Sequence, residues 1–145
     1  MSKKIVNSNN NRWSQLRRII FYGFFLWFVP ALFSVIVWDT STNQPVMGML
    51  WFNSIIAIVW SLNFALVAFF YFKGIYENYK KIGLFAGIVW YIICILLDFL
   101  VTVVIFNMDI SVFLPGILSN INNLIITTLI GFILGKKDLN ESNGV

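Results

Sequence analysis

Lys81–Phe106 reads KIGLFAGIVWYIICILLDFLVTVVIF. From Ile82 to Phe106 that is 25 residues with one charge, Asp98, and no polar face. A helix rises about 1.5 Å per residue, so about 20 such residues cross a hydrocarbon layer of about 30 Å. A helix that is apolar all round belongs either in a large protein core or in lipid. Its neighbours decide between the two. Ile19–Trp38, Val46–Phe72 and Ile110–Gly135 are three more runs of at least 20 residues, and none contains a charge. A chain of 145 residues has too little volume to bury four such helices in a water-soluble core. The sequence predicts an all-α membrane protein, an up-down bundle of four transmembrane helices over about 19–38, 46–72, 82–106 and 110–135.

Composition agrees. Hydrophobic residues make up 59% of the chain and charged residues 11%, against about 25% charged in soluble domains. The mean hydropathy is +0.84. A net charge of +4 does not indicate nucleic acid, because the basic residues flank the apolar runs and no soluble module remains to carry a binding surface. One cysteine, Cys94, excludes an internal disulfide and a thiolate metal cage, and histidine is absent. No nucleophile–base pair, carboxylate pair or ligand set stands out. No enzyme, cofactor or metal is expected.

The ten basic residues orient the chain. Five precede the first run (Lys3, Lys4, Arg12, Arg17, Arg18), three lie between runs two and three (Lys73, Lys80, Lys81), and Lys136 and Lys137 follow run four. The other two connections, around 39–45 and 107–109, carry Asp39 and Asp109 and no base. Basic residues stay on the cytoplasmic side, so both termini are expected there, in the cell membrane. Residues 1–18 then form a polar basic leader, 19–135 the membrane domain, and 136–145 a polar cytoplasmic tail, disordered from about residue 138. The apolar run after the leader is too long for a signal peptide and lacks a small-residue cleavage pattern. Trp38 is expected at the outer interface, with Trp13, Tyr71, Tyr76 and Tyr79 at the inner one. The loop holding Lys73, Glu77, Lys80 and Lys81 suits anionic headgroups.

Polar residues inside the spans are the candidates for function. Asp98 is costly in lipid, by about 2.5–3.5 kcal/mol at the centre of a helix, and so is expected to face the bundle interior or a watery cavity. It shares a stripe with Gly83, Gly87, Tyr91 and Cys94. On run four, Gly116, Asn120, Asn123, Thr127 and Gly131 share one face, which must point inward to satisfy its amides. By depth, Ser34, Asn53, Asp98 and Asn120 can form a polar cluster, with Asn123 one turn deeper. The cluster is either interhelical glue or a ligand or ion site. Gly83, Gly87, Gly116 and Gly131 are expected to let helices approach closely, as are Ala57, Ser61 and Ala65. Pro30 and Pro115 mark points where backbone can be irregular. A 64-residue offset aligns Phe21 with Phe85, Gly23 with Gly87 and Ser34 with Asp98, which suggests a parallel repeat of two hairpins.

The stretch KIGLFAGIVWYIICILLD, Lys81–Asp98, resembles the third span of a family of small four-helix integral membrane proteins of archaea and bacteria. FLWFVPALFS in the first span and the ending IGFILG resemble it too. The resemblance covers most of 17–135 and implies the four-helix fold, with no activity attached. Function is expected to be structural: a bundle that associates with itself or serves another membrane subunit. The alternative is a small transporter or channel using the cluster around Asp98. Expected partners are the lipid bilayer and a second copy or another membrane subunit, not nucleic acid.

Overall fold

The computed structural model describes residues 2–39, 41–42, 44–75 and 78–142. Tyr76, Glu77 and the last three residues of the tail lie outside it. Four helices follow one another: α1 (Ser2–Ile36), α2 (Met49–Lys73), α3 (Tyr79–Phe99) and α4 (Ile110–Ser142). Each holds a segment long and apolar enough to cross a membrane: Trp13–Ile36, Met49–Lys73, Tyr79–Ile105 and Phe113–Lys136. The third segment runs on past α3 through a π-helical stretch, Leu100–Ile105. The helices pack against one another as a bundle.

Two helices reach further than their apolar runs. The polar leader is helical and continuous with the first span: α1 begins at Ser2, because nothing breaks the helix before Gly23 and Pro30. Likewise α4 continues through Ser142, and the disorder expected from residue 138 is corrected up to that point. Between α1 and α2 the chain forms a two-stranded antiparallel ribbon, β1 (Trp38–Asp39) with β2 (Gln44–Pro45). Gly48 enters α2 at φ 75°, a conformation that a residue without Cβ adopts freely.

Lipid is the solvent the surface calls for. Leu50 is 80% exposed and Leu118 73%, and most large apolar side chains of all four helices point outward with them. The buried core is small and lies where α1, α2 and α3 meet. Trp90 is fully buried there, with Tyr71 at 5.1 Å and Phe64 at 6.2 Å, both edge-on to its ring. Its indole N–H donates to the Ile19 carbonyl of α1 at 3.0 Å. Tyr71 therefore belongs to the core, not to the interface belt, because its ring fills the space between Tyr22 and Trp90.

The packing order is α2–α1–α3–α4. α1 lies against both α2 and α3, and α4 packs on α3, while α2 and α4 occupy opposite flanks. The two hairpins thus meet through α1 and α3, which run in the same direction. Close approach explains this order. A Cβ on Gly83 would lie 2.8 Å from the Gly131 Cα, and one on Gly131 would lie 2.7 Å from the Tyr79 carbonyl oxygen. At Gly87 it would meet the Leu124 carbonyl at 3.0 Å, so α3 and α4 touch backbone to backbone. Gly116 has a different place: a Cβ there meets only Asp98 Oδ2, at 3.8 Å, so it is not a close-packing position. The Ala57–Ser61–Ala65 stripe is exposed and does not pack within the bundle. Gly23 looks at Trp90 and Ile93 of α3, whereas Gly87 looks at α4, so the 64-residue offset does not superpose equivalent contacts.

Candidate functional site

Asp98 lies toward the ribbon end of α3 and joins three helices. The Trp27 indole N–H of α1 donates to Oδ1 at 2.7 Å, and the Asn120 amide of α4 donates to Oδ2 at 2.7 Å. Asn123 sets the orientation of Asn120: its Nδ2 donates to Asn120 Oδ1 at 3.3 Å and reaches Cys94 Sγ at 3.6 Å. Asn120 must then turn its own N–H groups toward the carboxyl. The hydrogen bonds run in one direction, from Asn123 through Asn120 to Asp98, and each polarises the next.

Satisfaction is incomplete behind this chain. Asn123 and Thr127 are fully buried against α3, yet Asn123 Oδ1 and Thr127 Oγ1 have no partner. Buried polar atoms are almost always paired, so both are departures from the rule.

Beside the carboxyl is a half-open cavity of about 180 Å³. α1 supplies Trp27, Pro30, Ala31 and Ser34 to its wall. Trp60 of α2, Cys94 and Asp98 of α3, and Asn120 of α4 line it too, so all four helices contribute. Ser34 reaches the cavity but donates its hydroxyl to the Pro30 carbonyl of its own helix, at 2.8 Å. Of the expected cluster, then, Asp98, Asn120, Asn123 and Ser34 come together. Asn53 does not: it lies on the exposed face of α2 and is not part of the cavity wall.

Another amide on α2 takes part in the interior instead. Asn63, 5% exposed, donates to the Leu26 carbonyl of α1 at 2.9 Å. That carbonyl has no helical donor, because the residue one turn on is Pro30, which lacks an N–H. Asn63 thus repairs a gap that the proline opens, as backbone groups within lipid require. Neither Asn63 nor Trp27 was visible as a site residue in the sequence. Pro30 was the available signal, since a proline within a span always frees the carbonyl four residues earlier.

At the opposite end, Arg18 donates from Nη1 to the Gly74 carbonyl and from Nη2 to the Tyr71 carbonyl, both at 3.1 Å. A cation there pairs with the negative end of the α2 dipole and ties α1 to it. The acids of the connections have local roles. Asp39 accepts from the hydroxyl and N–H of Ser41 and from the Thr42 hydroxyl, which hold its carboxyl below the usual range. Asp109 caps α4: the Ser111 N–H donates to Oδ1 at 2.8 Å, and its carboxyl is held low by the Ser111 side chain and then the Ser111 backbone.

No family model matches the chain, and neither the curated proteins nor the solved structures contain a match to it.

Proposed function

We propose that this chain is a multi-pass protein of the cell membrane, with both termini in the cytoplasm, and that it acts as a small transporter or channel whose cation meets Asp98. The orientation is supported by the placement of all ten basic residues on the leader, at the helix ends that flank the α2–α3 connection and at the C-terminal end of α4. One observation carries the functional reading: all four helices converge on a cavity around the only acid within the spans. A carboxyl kept only as glue needs no space beside it, whereas this one borders a half-open cavity. Polar groups facing space inside a membrane mark solute paths.

Flux in proteoliposomes tests it. Asp98→Asn keeps the shape and can still hydrogen-bond, so the bundle should fold, but the charge is gone. Proton or monovalent-cation flux should fall to the background of empty liposomes. Flux equal to that of the unaltered protein would overturn the reading.

A second reading, an interaction protein, is favoured by α2. Its exposed face carries the Asn53 amide above Ala57, Ser61 and Ala65, and an amide facing lipid lacks partners that a second copy or another subunit would supply. Disulfide trapping of Ser61→Cys in a Cys94→Ala background tests it, and a chain that stays monomeric in lipid contradicts it.

A further inference from the structure

The lining of the Asp98 cavity is mixed. The carboxyl, Asn120 and Ser34 bring polar groups to it, and Trp27, Trp60 and Ala31 bring indoles and a methyl. Trp60 is held by stacking on Phe64, with ring centroids 5.4 Å apart. Trp27 is held by its N–H bond to Asp98.

We propose that this cavity binds a compact monovalent organic cation, an alkylammonium of the size of tetraethylammonium. The inference rests on the reading of the cavity as a solute site and names the chemical class of the solute. Charge gives the first constraint: one carboxylate and no basic residue line the space, which fits a single positive charge. The donor set gives the second. A hard metal cation takes about six or more oxygens. Here the lining side chains bring at most four oxygens, two of Asp98 and one each of Asn120 and Ser34, and all but that of Ser34 already accept hydrogen bonds. An alkylammonium needs no oxygen shell. Its diffuse charge is drawn to a carboxylate and to indole rings, and its carbons are at home against aliphatic walls. Size gives the third constraint, since 180 Å³ lies below the roughly 300–1,000 Å³ of drug-sized sites.

The test is a titration of the full chain in detergent micelles with tetraethylammonium chloride, followed by calorimetry and by tryptophan fluorescence. Sodium chloride at equal ionic strength is the parallel arm. Saturable binding of tetraethylammonium is expected, with no response to sodium. Asp98→Asn should weaken it by at least about tenfold, Asp98→Glu should restore it, and Trp60→Leu should weaken it several-fold. If the Asn variant does not fold, Ala31→Leu fills the space without touching the carboxyl and should abolish binding. Absence of saturable binding, or binding indifferent to both Asp98→Asn and Ala31→Leu, overturns the proposal. Proton or sodium flux that depends on Asp98, without tetraethylammonium binding, removes this inference and leaves the proposed function standing. Loss of both flux and binding removes both.

Discussion

Leu26 and Pro30 together explain a bond that neither shows alone. The proline withholds the N–H that the Leu26 carbonyl would meet, and Asn63 supplies a donor from the next helix. Asn63→Leu should therefore destabilise the bundle by about 1–3 kcal/mol, the penalty of a buried carbonyl left unpaired. In a Pro30→Ala background the same change should cost markedly less, because alanine returns the helical N–H. Unfolding of the four proteins in micelles measures this cycle, and an equal cost in both backgrounds would contradict the account. The pair also marks what was legible at this scale. Asp98, Asn120 and Asn123 could be read because an acid and two amides inside apolar runs must turn inward. Asn53 and Asn63 could not be told apart by type. Ten residues separate them, which turns them about 80° around the helix, and only the register of α2 against α1 says which one faces protein. Trp27 was hidden for another reason: its indole counts as apolar in any hydropathy pattern, while its N–H is a strong donor.

Helices meet where side chains are missing. Gly83→Val should separate α3 from α4, since the added carbons run into the Gly131 backbone, with a loss of about 1–3 kcal/mol or more. Gly116→Ala should be tolerated, because the new methyl meets only Asp98 Oδ2, at an ordinary contact distance. Thermal unfolding of the two variants in lipid nanodiscs tests the contrast, and equal losses would refute it. Asp109 gives α4 a pH-sensitive start. Its carboxyl is held below the ordinary value of 3.8, so the cap is at full strength above that value. It is lost as pH falls through the lower folded value. Protection of the Ser111 amide, its exchange rate relative to an unstructured peptide at the same pH, should then fall in acid, and Asp109→Ala should show weak protection at every pH. Protection at Ser111 that ignores pH in the unaltered protein would contradict this. The four spans were legible because lipid demands 20 apolar residues in a row. The N-terminal end of α1 and the C-terminal end of α4 were not, because polar residues without glycine or proline can either continue a helix or leave it.

At the scale of the molecule, the order α2–α1–α3–α4 makes the site. It sets α1 against α3, the two helices that run the same way, and so brings Trp27 to Asp98, while α4 closes from the far side with Asn120. Short connections foretold the two antiparallel hairpins, but not which faces the hairpins would join, since nothing in a sequence this rich in Phe, Ile and Leu distinguishes one apolar face from another. The central claim is that this arrangement holds a carboxyl-lined space open to water and cations. Cysteine accessibility in proteoliposomes tests it most directly, using Ser34→Cys in a Cys94→Ala background, with Leu32→Cys on the lipid-exposed side of α1 as the control. The account predicts that a small, membrane-impermeant, cationic thiol reagent modifies position 34 and spares position 32, and that Asp98→Asn slows the reaction at 34. Equal resistance at both positions, or a rate at 34 that ignores Asp98, would contradict it.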